Sequence, residues 1–349
     1  MNNWSSVRLG ELAQPKQWRT LSATEMKPSG FPVYGANGRI GFHDTFTHEK
    51  ATILIGCRGS CGSVHVTEPR SYANGNAMAL DALDESRADL RFLVYFFRKR
   101  GFRDVTTGTS QRQIIRQNLV RVEIPLPPLA EQRRIAEVLD RAEALRAKRR
   151  AALGQLDSLT QSLFLDLFGD PILNPRKWPQ EKLETFFHFR TGKLDSNAAV
   201  ASGQYPFFTC SRDDFRIDTF AFDCQALLLA GNNASADYSV KHYKGKFNAY
   251  QRTYVITLRD ERNSYDYARF VLEHRLGELK RISKGTGTKY LTMELLSRIR
   301  VPVPAIELQR EFARRVAAVE KLKAAQRASL TELDALFASL QHRAFRGEL

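Results

Sequence analysis

Cysteine is scarce in this chain of 349 residues, which has four: Cys57, Cys61, Cys210 and Cys224. So few cysteines do not make a disulfide framework, and a reducing cytoplasm is the simplest context. The spacing of Cys57, Cys61 and His65 is regular enough to consider a metal site. Three candidate ligands among glycines, with no evident fourth, favour a glycine-rich turn over a closed zinc site. The sequence therefore predicts free thiols and no bound metal.

Long apolar runs are also missing. The strongest clusters, residues 92–97 and 226–230, are far shorter than the roughly 20 residues that span a bilayer. The opening residues lack the basic start and apolar run of a signal peptide. We therefore expect neither membrane insertion nor secretion. The length and the 43% hydrophobic content predict two globular domains, each with its own core.

Motifs for catalysis are absent as well. A methyltransferase acting on a base amino group needs an Asn-Pro-Pro-Tyr type loop, and the nearest approach is Asn-Pro-Arg at residues 174–176. Two Glu-x-Lys tripeptides occur, at residues 25–27 and 278–280, but without any Pro-Asp dipeptide they carry little weight as a nuclease motif. No phosphate-binding loop for a motor is present. Any associated catalysis is expected to belong to partner proteins.

Acidic residues are outnumbered by basic ones, 38 to 53, which gives a formal net charge of +15. Lysine and arginine gain affinity for polyanions by displacing counterions, so nucleic acid is the first partner to consider. A solvated basic helix or an acidic protein partner would give the same total. Basic runs at residues 148–150 and at Lys321 and Lys323 fit either a solvated helix face or DNA contact.

What the chain does contain is an internal repeat. Trp4 and the tripeptide at 44–46 recur 174 positions later at Trp178 and 218–220, and residues 124–127 recur 177 positions later at 301–304. This period is far above the roughly 20 to 50 residues of solenoid repeats. The sequence therefore predicts two similar globular units in a pseudo-symmetric arrangement.

Each copy has the same plan, which predicts an α+β fold. Short apolar runs broken by Gly, Asn and Asp indicate strands and turns, and helical spacing follows at residues 91–103 and 267–282. A proline-rich hinge comes next. Long helices are then expected over 130 to about 167 and 307 to about 345.

The two long helices share an apolar seam with alternating steps of three and four residues, which is typical of paired helices. Polar residues interrupt it at equivalent places, Arg146 and Arg149 in one helix and Lys323 and Gln326 in the other. Antiparallel pairing within the chain is the economical solution, while pairing with a second copy or with a partner's helix stays open. The predicted seam comprises Ile135, Leu139, Leu153, Leu156, Leu163, Phe312, Val316, Val319, Leu330, Leu333 and Leu340.

Several segments resemble the specificity subunits of type I restriction-modification systems. They are the Ile-Pro-Leu-Pro-Pro-Leu-Ala-Glu-Gln run at 124–132, its looser copy at 301–309, the Leu-Phe-Gly-Asp-Pro segment at 167–171 and the ending at 344–349. The hinge occurs twice at the same spacing, and the resemblance covers the whole chain. The second hinge departs from the family pattern, which puts equal partner contacts in the two halves in doubt.

The resemblance implies two target recognition domains, residues 1–128 and 169–304, and two spacer helices, residues 129–168 and 305–349, pairing as an antiparallel coiled coil. Such a subunit reads a bipartite, asymmetric sequence in double-stranded DNA without catalysis of its own. Two modification subunits dock on it and use S-adenosylmethionine, with translocase-nuclease subunits as optional partners. No cofactor is expected on this chain, and the bacterial or archaeal cytoplasm is its expected location.

The strongest base-reading candidates precede each hinge, where residues 108–113 align with 285–290. Each segment combines glycine with hydroxyl, amide or basic side chains, in a pattern that predicts the opening of a helix. Amide side chains suit adenine, arginine suits guanine, and lysine mainly positions the backbone. A second glycine-rich loop is expected near DNA in each copy. The candidate DNA-binding residues are Arg58, Ser60, Thr109, Ser110, Gln111, Arg112, Gln113, Asn232, Lys284, Thr286, Thr288, Lys289 and Tyr290.

Three other interpretations are compatible with these patterns. The candidate loops could be ordinary helix-capping turns and glycine-rich β-turns with solvated charges. The chain could be a nuclease or methyltransferase with an unrecognised active site, which turnover by the isolated chain would reveal. It could also be a coiled-coil scaffold for protein partners, which would bind DNA without sequence preference or not at all.

Overall fold

The computed structural model describes residues 4–108, 111–233, 238–285 and 288–349. They form two compact units. Unit 1 runs through Arg150 and includes Ala328–Leu349, whereas unit 2 is Ala151–Arg327. Each unit combines a globular part with one segment from each of two long helices.

The globular part of unit 1 consists of short strands and helices. In chain order they are β1 (Ser5–Arg8), α1 (Leu9–Leu12), β2 (Gln14–Gln17), β3 (Phe31–Gly35), β4 (Gly38–His43), β5 (Ile53–Gly56), β6 (Val64–Val66), β7 (Tyr72–Ala73), β8 (Ala77–Asp81), α2 (Leu90–Arg100), β9 (Thr106–Thr107), β10 (Gln113–Ile114), α3 (Arg116–Leu119) and β11 (Glu123–Leu126). The first long helix, α4 (Leu129–Phe168), follows. The sheets have the orders β2-β8-β5-β6 and β4-β3-β7, and β1 pairs with β11 and β9 with β10.

Unit 2 repeats this plan. Its elements are β12 (Gln180–Lys182), α5 (Leu183–Phe186), β13 (Phe187–Thr191), β14 (Tyr205–Phe208), β15 (Phe215–Ile217), β16 (Phe222–Ala230), β17 (Asn232–Asn233), β18 (Val240–Ala249), β19 (Thr253–Leu258), α6 (Tyr265–Ile282), β20 (Lys289–Tyr290), α7 (Met293–Leu296), β21 (Arg300–Pro302) and the second long helix α8 (Ile306–Ala344). The main sheet has the order β13-β19-β16-β18-β14-β15. The ten-residue β18 joins two groups of strands that unit 1 keeps as separate sheets, because β6 and β7 are separate short strands there.

The apolar cluster at residues 92–97 forms the centre of α2, and every side chain in it is buried. The carboxylate of Asp89 starts this helix by accepting hydrogen bonds from the backbone amides of Arg91 and Phe92, at 3.0 and 3.1 Å. Ser264 has the same role in α6, where its hydroxyl accepts from the Tyr267 amide at 3.4 Å. The short apolar run is therefore a core helix.

The long helices pair antiparallel inside each unit. In unit 1, Arg134 on α4 reaches the carbonyl of Leu349, whereas Arg146, twelve residues further on, reaches Asp334. In unit 2, Asp157 contacts Lys323 at 2.7 Å, and further along α4 the Phe168 ring lies against Phe312. The fold class predicted from the sequence, two repeated α+β modules with two long paired helices, is therefore confirmed.

Burial along the predicted seam varies with position. Ile135, Leu139, Phe312, Val316 and Val319 are buried. The remaining predicted seam residues are half-buried: Leu153, Leu156, Leu163, Leu330, Leu333 and Leu340. The buried positions belong to the segments that the globular parts cover, since the core of each unit includes residues from both helices.

A buried glutamine joins each long helix to its globular part. The Gln132 amide nitrogen donates to the carbonyls of Arg87 and Pro127, both at 2.8 Å, while its oxygen accepts from the Asp89 backbone amide at 2.8 Å. Gln309, 177 positions later, makes the equivalent three bonds, to the Pro304 carbonyl and to the residues 263 and 264 beside the start of α6. The glutamine of each hinge motif therefore supplies a hydrogen-bonded joint.

Among the described residues, no helix is both long enough and apolar enough to cross a membrane.

Candidate nucleic-acid interface

In unit 1 the two loops that the sequence singled out lie side by side. Arg58 and Gln113 form an isolated antiparallel bridge, and the Ile114 amide donates to the Cys57 carbonyl at 3.0 Å. We call the exposed side chains brought together here loop surface 1. Its members among the predicted residues are Arg58, Ser60, Gln111, Arg112 and Gln113.

Gly108 and Gln113 lie on the two sides of a β-hairpin, so the expectation that this segment opens a helix was wrong. Thr106–Thr107 pairs with Gln113–Ile114, and α3 begins only at Arg116. Gly108 has φ +87°, and a Cβ there would collide with the Gln111 carbonyl oxygen. Glycine permits this reversal at no steric cost, and the short strand pair then satisfies the backbone groups on both sides.

Unit 2 contains the equivalent arrangement, which we call loop surface 2. Asn232 pairs with Tyr290, and Tyr290 exchanges two backbone hydrogen bonds with Lys284, at 2.8 and 3.1 Å. Gly285, with φ +111°, takes the place of Gly108, and a Cβ there would collide with the Thr288 carbonyl oxygen. Two loops distant in sequence therefore meet in the same way in both repeats.

The exposed groups differ between the two surfaces. Loop surface 2 presents the Tyr290 ring, which is 39% exposed, and the ammonium of Lys284, which lies 3.6 Å from the Glu294 carboxylate. Asn232, Thr288 and Lys289 are half-buried, and the side-chain oxygen of Asn232 is shielded from solvent. Loop surface 1 presents amides and guanidinium groups instead. The predicted residues Thr109, Ser110 and Thr286 lie outside the described part of the chain.

Arg252 belongs to loop surface 2 but was missed from the sequence. Its guanidinium lies over the Tyr290 ring, 5.6 Å from the ring centroid, and its side chain is exposed. Its carbonyl accepts a hydrogen bond from the Gly231 amide at 2.8 Å, which ties the turn before β19 to the loop that carries Asn232. Asn76 has this position in unit 1, where its carbonyl accepts from Cys57 and Arg58. The turn that carries Arg252 joins loop surface 2 only through tertiary contacts, so no local sequence motif identifies Arg252.

Arg103 was missed for a similar reason. It lies in a 3-10 turn after α2 and lines a cleft of about 680 Å³ together with Arg112, Cys61 and Gly108. Among the described residues that line this cleft there are two guanidinium groups and no carboxylate. Such a cleft suits a phosphate or the acceptor-rich edge of a guanine.

The cysteines of unit 1 have a structural role beside the cleft. The Cys61 thiol shares its proton between the Arg112 carbonyl, at 2.9 Å, and the Cys57 carbonyl, at 3.3 Å. Burial raises the pKa of the Cys61 thiol, and burial also raises that of Cys57. Both are therefore neutral thiols. The Cys61 thiol ties the glycine-rich turn to the hairpin, whereas the Cys57 thiol contacts the Gln17 amide and the Gly75 carbonyl. Among the described residues, no three His, Cys, Asp or Glu side chains converge as metal ligands.

The basic runs on the long helices are not uniformly solvated. Lys323 is buried and forms ion pairs with Asp157 at 2.7 Å and Glu320 at 2.8 Å. The idea that Lys323 lies on a solvated or DNA-contacting face was therefore wrong. Lys323 is buried because it lies in the seam between the two long helices.

Leucines are exposed on the long helices at positions that repeat every 177 residues. In unit 2, Leu159 on α4 and Leu322 on α8 are 45% and 53% exposed and line one groove of about 460 Å³. Their counterparts in unit 1 are Leu336 and Leu145, each 51% exposed. An exposed apolar pair on the long helices therefore recurs at equivalent positions of the two units.

Comparison with known proteins gives one consistent family. The model for the type I restriction modification DNA specificity domain matches residues 1–155 and again residues 175–333. The Escherichia coli type I restriction enzyme EcoDI specificity subunit is 38% identical over 154 residues, 43% of this chain and 34% of that protein. A type I specificity subunit sequence from Haemophilus influenzae is 27% identical over 127 residues, 35% of this chain and 32% of that protein. The alignments thus take in about a third of each curated relative.

A solved structure agrees in fold over nearly the full length. The type I restriction-modification system S subunit from M. genitalium superposes with a TM-score of 0.69 at 19% identity, covering 99% of this chain and 97% of that one. Because the family model matches most of the chain, in two copies, the chain belongs to the type I restriction-modification DNA specificity family.

Proposed function

We propose that this chain reads a bipartite, asymmetric sequence in double-stranded DNA as the specificity subunit of a type I restriction-modification complex, with one half-site for each unit. The observation that carries the proposal is the repeated meeting of two loops, Arg58 beside Gln113 and Asn232 beside Tyr290. The backbone arrangement is shared while the side chains differ, so the two half-sites differ in sequence.

The side chains at the two surfaces divide into two roles. In unit 1, Gln111 and Gln113 suit adenine, and Arg58, Arg103 and Arg112 suit guanine or phosphate. In unit 2, Lys284 and Lys289 position the backbone. The ring of Tyr290 and the guanidinium of Arg252 form a stacked pair that can meet a base or sugar.

The long helices act in this proposal as a ruler for the gap between half-sites. α4 has 40 residues without a break, which corresponds to about 60 Å of helix. A helix is stiff over this length, so the gap in the DNA target has one value.

Catalysis belongs to partners in this proposal. The chain carries no recognisable loop for holding a flipped base, so S-adenosylmethionine binds to the modification subunits and this chain transfers no methyl group itself. Two modification subunits dock on it, translocase-nuclease subunits can join, and the complex acts in the cytoplasm, where its DNA lies.

The exposed leucine pairs support docking of two copies of one partner. Leu159→Glu with Leu322→Glu, or Leu145→Glu with Leu336→Glu, places carboxylates on one patch only. We expect each double variant to bind one modification subunit instead of two, as measured by native mass spectrometry, because a buried unpaired charge opposes association.

Leu173→Glu is the matched control, since Leu173 is 78% exposed and lies outside the long helices. It should retain both partners. Full occupancy in both double variants would remove the leucines from the docking surface.

Exchange of one recognition domain tests the proposed reading of DNA. Residues 1–124 are replaced by those of another family member, the chain is combined with its modification subunit, and methylated sites are mapped. We expect one half-site to change while the other half-site and the gap stay the same. A change in both halves, or methylation without sequence preference, would contradict one half-site per unit and favour the scaffold interpretation.

A further inference from the structure

An ionic triad occurs twice in the seam of the long helices. In unit 1 the guanidinium of Arg146 contacts Asp334 on the opposite helix at 2.6 Å and Glu143 on its own helix. The more exposed Arg150 approaches the same two carboxylates from outside the seam, at 3.5 and 3.2 Å. In unit 2 the ammonium of Lys323 contacts Asp157 on the opposite helix at 2.7 Å and Glu320 on its own helix at 2.8 Å. Every member of one triad lies 177 positions from its counterpart in the other.

Both cations lie where the seam would otherwise place an apolar side chain. The Arg146 side chain is 17% exposed and its guanidinium covers the Phe337 ring, 4.3 Å from the centroid. The Lys323 side chain is 8% exposed. Burial alone would lower the pKa of Lys323, but the bonds to Asp157 and Glu320 outweigh it and raise this pKa, so the ammonium stays charged. Both cations therefore need their anions.

The carboxylates of the triads are more exposed to solvent than the cations. The side chains of Asp334 and Asp157 are 45% and 66% exposed, and those of Glu143 and Glu320 are 37% and 42% exposed. Water can solvate these carboxylates if a cation is removed. Replacing both cations by apolar side chains would thus leave no buried charge without a partner.

Sliding one long helix along the other by one heptad would break both triads. In one direction Arg327 would take the place of Asp334 opposite Arg146, and Arg150 would take that of Asp157 opposite Lys323. In the other direction the opposing residues would be Gln341 and Phe164. The first slip brings like charges together and the second leaves Lys323 buried against an aromatic ring.

We propose that the triads of Arg146 and Lys323 are register-setting devices, which select the single axial alignment in which α4 and α8 pair. Buried polar groups in helix pairs can fix register at a cost in stability. Here the device acts at two equivalent points, in the half-buried stretch of the seam. Its consequence for the gap in the DNA target rests on the proposed function.

The test replaces both cations by an apolar side chain of similar length, Arg146→Met with Lys323→Met, in the full chain with its modification subunit. The control variant Arg141→Met with Arg314→Met removes cations that are 76% exposed and form ion pairs within their own helix. A second variant, Arg146→Lys with Lys323→Arg, exchanges the two cations and should behave as the natural chain.

Register is read by cysteine crosslinking, with crosslinked peptides identified by mass spectrometry. Leu159→Cys with Leu322→Cys reports the native alignment, since both side chains line one groove. Leu159→Cys with Ser329→Cys or with Arg315→Cys reports a shift of one heptad in either direction.

We expect the natural chain, the control and the exchanged variant to crosslink only in the native register. The double methionine variant should also crosslink in a shifted register, keep or raise its unfolding temperature, and methylate sites with more than one gap length.

A methionine variant with one register and one gap length would overturn the proposal, because packing of the globular parts would then suffice to fix the register. A lower unfolding temperature with unchanged register would also overturn it, as the triads would then only stabilise. If the natural chain directs no methylation at split sites, the proposed function fails while the crosslinks still decide the register.

Discussion

Two glycines have the sharpest steric requirement at the loop surfaces. Gly108 and Gly285 have positive φ in both hairpins, and in each case a Cβ would meet a carbonyl oxygen three residues on. The sequence alignment had already paired these glycines without giving the reason. The structure supplies it, because the backbone at Gly108 and Gly285 has a conformation and a close carbonyl contact that leave no room for a Cβ.

Gly108→Ala and Gly285→Ala should each disturb one half-site. Strain at such a position costs about 1 to 3 kcal/mol, which is about a 5-fold to 150-fold loss of methylation at a site that depends on the hairpin. The measurement is methylation of DNA sites carrying each half separately randomised. Gly154→Ala is the control, since nothing lies within 4 Å of a Cβ there and alanine favours the helix. Equal loss at both half-sites from either variant would contradict the assignment of one hairpin to each half.

Arg252→Ala should weaken reading of the second half-site alone. The variant removes an exposed guanidinium and its contact with the Tyr290 ring. If Arg252 contacts phosphate, binding falls for all sequences and the slope of log affinity against log salt decreases by about 1. If it contacts a base, discrimination relaxes at one position. Unchanged affinity, slope and discrimination would exclude Arg252 from the interface.

At the level of elements, the sequence predicted the helices well where the apolar periodicity is sustained and prolines mark where a helix starts. The predicted bounds of the long helices agree to within a residue or two with α4 (Leu129–Phe168) and α8 (Ile306–Ala344). This agreement arises because prolines precede both helices and the seam pattern is sustained along them. The hairpin tips were mistaken for helix starts because glycine, serine and threonine mark both. The domain boundaries and the individual DNA contacts predicted from the sequence stay predictions.

Tertiary contacts explain what the sequence could not show. Arg252 reaches loop surface 2 through contacts with Gly231 and Tyr290, and the cleft that Arg103 lines also includes Cys61, which is distant in sequence. The burial of Lys323 depends on Asp157, which lies on the other helix. No local pattern carries this information.

The buried glutamines connect the long helices to the globular parts, and Gln132→Ala or Gln309→Ala should weaken this connection. Each substitution leaves a backbone amide and two acceptors without their partner, which costs about 1 to 3 kcal/mol. We expect a lower unfolding temperature for both variants, measured by calorimetry of the full chain. Gln161→Ala, at an exposed position of α4, should leave the unfolding temperature unchanged. Equal effects at Gln161 and Gln132 would show that the joint adds no stability of its own.

At the scale of the whole molecule, duplication explains most of what the structure contains. Strand order, glutamine joint, hairpin glycine, exposed leucine pair and ionic triad each occur once in every unit. What differs is the chemistry of the loop surfaces. A duplicated scaffold with divergent loops is suited to two related tasks on two different sequences.

The ruler role of the helices gives a prediction at this scale. Insertion of one heptad in α4 and one at the facing level of α8 lengthens both helices by about 10 Å, or about three base pairs of DNA. We expect the gap between half-sites to lengthen by about that amount while both half-sites stay the same. Retention of the original gap would show that the helices do not set it.

The most direct test of the whole account is a map of methylated adenines across the genome of a methylation-free host that expresses this chain with its modification subunit. We expect one split motif, with two different half-sites and a fixed gap. A stable complex that leaves the genome unmethylated, or methylates a single uninterrupted motif, would contradict it.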